Sequence, residues 1–198
     1  RFPEAVADHQ LRNEIIATQL ANAMVNHMGI TFTNRMTETT GLSADQVTAA
    51  YIIAREVFGL KDLWKAVEQL DNKVDAAVQQ RMLVDLLRLM RRASYWFLRN
   101  VCNRGSIDVK AVIDRFAPAV TTIRDSFDSL LTGDLKDAWL ELQQSLVDAG
   151  VPTDLAPQIA CAERLYSALA VSEVAADADQ PLLPTAEVYF ALGERLQL

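Results

Sequence analysis

The segment from His9 to Gly29 constrains the fold more than any other part of the chain. From Ile15 to Asn34 it contains no Lys, Arg, Asp or Glu. Apolar residues fall on nearly every side of a helical projection, whereas a surface helix shows a charged face. The segment therefore predicts a helix over about residues 9–28 that is buried at the centre of the domain and ends at Gly29.

From Ile15 to Asn26 the polar residues of this segment are amides and a hydroxyl rather than charges. Thr18, Gln19, Asn22 and Asn26 recur at steps of mostly three or four residues, which places them on one stripe of a helix. If this stripe is buried, each amide needs a hydrogen-bond partner, so we expect an amide network between helices. So many polar groups also argue against a membrane span, which needs about 20 predominantly apolar residues.

Composition excludes several classes of protein. The 198 residues carry a net charge of −7, which disfavours general binding to nucleic acid or to anionic membranes. The hydrophobic fraction of 51% is that of a globular chain. The two cysteines, Cys102 and Cys161, do not form a disulfide framework, so we expect free thiols in a reducing compartment, the cytoplasm.

The rest of the chain shows helical spacing and no convincing alternation typical of strands. Ser43 and Gln46 form a capping-box pattern that starts a helix reaching Phe58. Thr31–Thr40 fits either a short helix or an extended piece, and Pro118 is expected to kink or divide its helix. Further helices are predicted over Leu60–Leu70, Val74 to about Asn103, Leu135–Ala149, Leu155–Val174 with Thr153 as N-cap, and Pro184 to the end, with Ser106 or Asp108 capping the helix that contains Pro118.

These patterns predict an all-α fold, a multi-helix orthogonal or bundle-like domain around the central helix. Residues 1–198 form a single helical domain in this interpretation, with a possible internal linker at 175–183. Because both ends of the chain are abrupt, we interpret it as a piece cut from a longer protein.

The sequence contains no recognisable catalytic or cofactor motif. Its glycines are isolated, so the Gly-rich turn of a dinucleotide site is absent. His9 and His27 would lie about 27 Å apart along one helix, too far to share a metal ion. We predict no catalytic, cofactor-binding or metal-ligating residue in this chain, and we interpret His27 as a hydrogen-bonded core residue.

An arginine stripe on the long helix is the best functional candidate. Arg81, Arg88, Arg92 and Arg99 are separated by seven, four and seven residues, which stacks them along one line. They could dock an acidic surface or a phosphate-bearing effector. Alternatively, they form a solvated face that pairs with nearby carboxylates such as Asp85, which is the commoner role of such a run.

Several segments resemble the C-terminal helical region of the large bacterial NAD-specific glutamate dehydrogenases. The resemblance covers nearly the whole chain in the order of the family, although residues 175–183 fit it loosely. The matching segments are LRNEIIATQLANAMVNHMG near the start, YIIAREVFGLKDLWKAVEQL at Tyr51–Leu70, RRASYWFLRN at Arg91–Asn100, AERLYSALAVSEVA at Ala162–Ala175 and the final VYFALGERLQL.

The resemblance implies a parent enzyme of amino-acid catabolism that oxidatively deaminates L-glutamate to 2-oxoglutarate and ammonia while reducing NAD. Its catalytic and NAD-binding residues would lie upstream, so this segment would be non-catalytic, would bind no cofactor, and would have a structural, oligomerisation or regulatory role. The implied partners are the catalytic core of the same polypeptide and further copies in a homo-oligomer, without nucleic acid or membrane. The alternative is a stand-alone helical protein-interaction module.

Overall fold

The computed structural model describes residues 9–105 and 107–196, and these residues form helices without strands, which confirms the predicted all-α class. A short 3₁₀ turn, Cys102–Arg104, follows the longest helix. The helices are α1 Arg12–Met28, α2 Phe32–Thr40, α3 Ala44–Val57, α4 Leu60–Glu68, α5 Ala76–Asn100, α6 Val109–Asp125, α7 Phe127–Leu130, α8 Gly133–Asp148, α9 Ala156–Ala160, α10 Ala162–Leu165, α11 Ala168–Asp177 and α12 Leu182–Leu196.

The centre of the fold is the pair formed by α3 and α5. Asp75 is the N-cap of the long helix α5, and its carboxylate accepts a hydrogen bond from the backbone N–H of Ala77 at 2.8 Å. Its apolar stripe is fully buried and packs against α3, which buries Ala50, Tyr51 and Ala54. Burial of two stripes against each other is what holds amphipathic helices in place. The α5 stripe consists of Met82, Leu86, Met90, Ala93 and Phe97.

The prediction that the helix at residues 9–28 is buried and central is wrong. Helix α1 forms within those bounds, but Met24 is its one buried residue. The expected amide network is also absent, because Thr18, Gln19, Asn22 and Asn26 are exposed. A helix that is apolar on all sides can pack on any side, so its sequence alone does not fix which sides find a partner.

The structure also decides or corrects several local predictions. Residues 32–40 are helical, not extended, and α6 runs through Pro118 without being divided. The predicted helix Leu155–Val174 is instead three short helices, and Leu155 rather than Thr153 occupies the N-cap position of the first. Asp108 caps α6, whereas Ser106 lies outside the described residues. Residues 178–181 alone separate α11 from α12.

The capping box at Ser43 is confirmed. The Ser43 hydroxyl accepts a hydrogen bond from the Gln46 N–H at 3.3 Å, and the Gln46 side chain accepts one from the Ser43 N–H at 2.9 Å. The amide of Gln46 also donates to the backbone oxygen of Cys102 at 2.6 Å. The start of α3 is therefore tied to the end of α5.

Replacing Ser43 with alanine should lower the free energy of unfolding by about 1 kcal/mol, because the first turn of α3 loses the side-chain acceptor of one of its unpaired N–H groups. Urea unfolding followed by circular dichroism measures this change. Ser145→Ala is the control, since Ser145 is exposed within α8 and alanine favours a helix. An equal loss in the two variants would contradict the assigned role of the cap.

Candidate functional site

The predicted arginine stripe lies on α5, and its first half borders two clefts. Arg88 forms an ion pair with Asp85, with 3.3 Å between Nη1 and Oδ1. Arg81 and Arg88 line a cleft of about 430 Å³ that also contains Glu163. Arg88 therefore pairs with a carboxylate, as a solvated face would. Both arginines are also exposed, as a docking face would require.

The second half of the stripe contacts aromatic rings. The guanidinium carbon of Arg92 lies 4.4 Å from the centroid of the Tyr166 ring, and its Nη1 donates to the backbone oxygen of Glu163 at 3.3 Å. The guanidinium carbon of Arg99 lies 5.7 Å from the Tyr95 centroid. Contacts of this kind hold a guanidinium over a ring face. The four arginines thus have different neighbours along α5, and their role as a docking stripe stays a prediction.

A larger cleft, here called the α2/α5 cleft, lies between the α1–α2 corner and α5. Its volume is about 520 Å³, within the range of roughly 300–1,000 Å³ found for small-molecule sites. Buried apolar side chains from both helices line it, namely Phe32, Met36 and Leu89. Its polar lining includes Arg35, Arg88, Arg91, Arg92, Asp85 and Glu163.

Some of the arginines that line the α2/α5 cleft form ion pairs and others do not. Among the described residues, Arg35 and Arg91 form no ion pair, whereas Arg88 is paired with Asp85. Burial raises the pKa of the Asp85 carboxyl, while Arg88 and Arg81 act in the opposite direction and Glu163 adds to the rise. Four arginines against two carboxylates leave the cleft positive on a chain whose net charge is −7.

The spacing of the stripe did not identify Arg35 and Arg91. Arg91 lies beside Arg92 in the sequence but off the line that selected the other four arginines. Arg35 belongs to a different helix and comes to the cleft through the packing of α2 against α5. The Arg91–Arg92 pair was a usable local signal, whereas no local signal pointed to Arg35.

Helix α1 presents an uncharged surface, here called the α1 outer face. Two of its larger apolar side chains, Ile16 and Val25, are 47% and 44% exposed, and Ile30 beyond the helix is 80% exposed. No Lys, Arg, Asp or Glu lies between Ile15 and Asn34, so another protein surface can cover this part of α1 without burying one of these charges. The α1 outer face comprises the exposed residues Ile16, Ala17, Thr18, Gln19, Ala21, Asn22, Val25 and Asn26.

The opposite side of α1 is anchored through His27. The ring of His27 stacks on Trp64 with 4.4 Å between centroids, and its Nδ1 lies 3.3 Å from the hydroxyl oxygen of Tyr51. His27 is thus a hydrogen-bonded and half-buried residue, close to its predicted role. Burial lowers the pKa of His27, with Glu68 opposing this effect and Arg55 reinforcing it. The folded chain therefore favours the neutral imidazole.

This lowered pKa predicts a pH-dependent stability. Because the unfolded chain binds a proton at His27 near pH 6.5 and the folded chain does so only at lower pH, the free energy of unfolding should fall as pH drops through this window. Urea unfolding at a series of pH values, with wild type and His27→Gln side by side, measures the contribution. The gap between the two proteins should be widest above the ordinary histidine pKa and narrow below it. A gap that widens on acidification would contradict the assignment.

The thiols of this chain lie in the core. Cys102 and Cys161 are free and buried, and burial raises their pKa to about 11 and about 12. A thiol with such a raised pKa is a poor nucleophile near neutral pH. Across residues 9–105 and 107–196, no group of three His, Cys, Asp or Glu residues is placed to hold a metal ion. Nor does any helix within these ranges have the length and hydropathy needed to cross a bilayer.

Comparison with known proteins gives matches along the whole chain. A family model described as glutamate dehydrogenase, C-terminal, matches residues 1–198. The NAD-specific glutamate dehydrogenases of Halomonas elongata and Pseudomonas aeruginosa are 38% and 39% identical over 198 residues. That of Mycobacterium tuberculosis is 31% identical over 196 residues, which is 99% of the chain. The chain spans only 12% of the length of each relative.

Proposed function

Since this chain belongs to the family of glutamate dehydrogenase C-terminal regions, we propose that it is the non-catalytic helical C-terminal domain of an NAD-specific glutamate dehydrogenase. The parent enzyme oxidatively deaminates L-glutamate to 2-oxoglutarate and ammonia and reduces NAD. Catalysis and NAD binding belong to the part of the polypeptide that precedes this domain. The two free thiols are consistent with a cytoplasmic enzyme.

The α1 outer face is the observation that carries the proposed role. The catalytic part of the same polypeptide is its partner, because the relatives continue far beyond the 12% of their length that this chain matches. Docking would remove Ile16 and Val25 from water and give hydrogen-bond partners to the amides between them. A helix face without Lys, Arg, Asp or Glu suits such a contact, since no charge of that face has to be desolvated.

The domain then acts in assembly: it covers apolar surface of the catalytic part and holds that part in its active, oligomeric arrangement. Alternatively, the α1 outer face forms a contact between two copies of the domain. The two are distinguished by the size of the isolated 198-residue chain in solution. A monomer supports docking onto the catalytic part, whereas a dimer that Ile16→Asp dissociates would replace it by self-association.

The function is tested by glutamate-dependent NADH production by the full polypeptide, with and without this segment. We expect activity in the intact protein and a loss of about tenfold or more when the segment is deleted, while circular dichroism shows the remainder still folded. No activity in the intact protein would contradict the dehydrogenase assignment. Full activity without the segment would contradict the assembly role and leave a helical interaction module.

A further inference from the structure

We propose that the α2/α5 cleft binds a small organic anion that carries an apolar group, with a carboxylate or a phosphate as the anionic end. This site is separate from the α1 outer face, and the inference does not rest on the proposed dehydrogenase function.

The shape and lining of the cleft define the apolar part of the ligand. About 520 Å³ of space is bordered by Phe32, Met36 and Leu89, with Tyr95 adding an aromatic ring. An apolar body placed there would be shielded from water on the side of the core. A phenyl group or a short aliphatic chain matches this surface.

The arginines define the charged part of the ligand. Arg35 comes from α2 and Arg91 from α5, and neither forms an ion pair with a described residue, although the chain carries 26 acidic residues against 19 basic ones. A guanidinium offers a planar set of N–H donors that match the oxygens of a carboxylate or a phosphate. These two side chains are therefore the available donors for an oxyanion.

The other two arginines of the cleft are already engaged, which gives it a defined edge. Arg88 is paired with Asp85, and Arg92 is held by the Tyr166 ring and the backbone oxygen of Glu163. The carboxylates of Asp85 and Glu163 lie at the same edge. They would repel a second anionic group there, so the site favours a ligand with a single charged end.

Three probes test the site: 4-phenylbutyrate, phenyl phosphate and the neutral 4-phenyl-1-butanol. Binding to the 198-residue chain is followed by amide chemical shifts, after circular dichroism has shown cooperative unfolding of each variant. At least one of the two anions should bind saturably and shift the amides of Phe32, Arg35 and Leu89. The neutral probe should bind about tenfold more weakly, since it cannot form charge-assisted hydrogen bonds. The ratio between the two anions tells which oxyanion the site prefers.

Matched arginine variants test the assigned donors. Arg35→Gln together with Arg91→Gln should weaken binding of the anions by about tenfold or more while leaving the neutral probe unchanged. Arg81→Gln removes a charge from the same long helix outside this cleft and should change binding less than about twofold. Repeating the titration with the full polypeptide asks whether the cleft stays open in the parent protein.

Three results would overturn the inference. One is the absence of saturable binding of either anion, and another is equal affinity for the anionic and neutral probes, which would leave an apolar cleft only. The third is binding to the 198-residue chain that disappears in the full polypeptide, because the cleft would then be covered by the rest of the parent protein.

Discussion

Replacing Phe97 with alanine is expected to lower the free energy of unfolding by about 4 kcal/mol, the largest loss among single substitutions that we consider in this chain. Phe97 is completely buried on the inner side of α5. Its ring meets Trp96 and Phe116 edge to face, at centroid distances of 5.3 and 5.4 Å. Truncation removes the burial of the ring, these aromatic contacts and the packing of α5 against α6 at once, and it leaves a cavity.

Urea unfolding monitored by circular dichroism measures this loss. Phe97→Leu, which keeps most of the volume, should cost less than about 2 kcal/mol. Leu140→Ala is the surface control, because Leu140 is 43% exposed and its truncation should change stability by less than about 1 kcal/mol. A loss at Phe97 no larger than the loss at Leu140 would contradict the position of α5 at the centre of the fold.

The second large effect is expected only in the full polypeptide. Ile16→Asp places a charge on the α1 outer face, and Leu140→Asp places one on α8 at nearly the same exposure, 47% against 43%. In the 198-residue chain both variants should change stability by less than about 1 kcal/mol, because neither charge is buried. In the full polypeptide, Ile16→Asp should weaken docking of the domain by about 3 kcal/mol or more, since an unpaired carboxylate would enter an interface.

Hydrogen exchange of the α1 amides, read by mass spectrometry, measures this docking. The exchange of α1 in the full polypeptide should rise in Ile16→Asp and stay at the wild-type rate in Leu140→Asp. The comparison uses one protein and two equally exposed positions, so a general loss of solubility or charge balance affects both. Equal exchange in the two variants would mean that the α1 outer face is not covered.

Helix positions could be predicted from the sequence better than the arrangement of the helices. The capping box at Ser43 and the limits of α1 and α5 follow from local chemistry, and the structure reproduces them to within a few residues. The burial of α1 does not follow from local chemistry, because a helix with apolar residues on every side gives no preferred direction for packing. Its partner surface is set by chain outside the segment from which the prediction was made.

The breaks between α9, α10 and α11 could not be predicted for a related reason. No glycine or proline lies between Cys161 and Ser167, so the sequence read as one continuous helix. The buried side chains of Ile159, Leu165 and Ala168 all belong to the core around α5 and α6. The breaks therefore carry no Gly or Pro signal in the sequence, although buried side chains lie on both sides of them.

The candidate sites could also be predicted only in part from the sequence. Regular spacing along α5 identified the arginine stripe but gave no information about its partners, which come from distant segments such as Tyr166 and Glu163. Arg35 and Arg91 line one cleft only when α2 packs against α5. Residue spacing predicts which side of a helix a residue occupies. A cleft forms between two helices, so the spacing within one helix does not predict it.

The central claim is that the rest of the parent polypeptide covers the α1 outer face, and maleimide labelling of an Ala21→Cys variant tests it most directly. Ala21 is exposed in this chain, and the native thiols of Cys102 and Cys161 react slowly because burial raises their pKa to about 11 and about 12. Leu140→Cys serves as the exposed reference in both proteins. We predict rapid labelling at position 21 in the 198-residue chain and labelling about tenfold slower or more in the full polypeptide, with position 140 unchanged. Equal rates at position 21 in the two proteins would contradict the docking of this domain through α1.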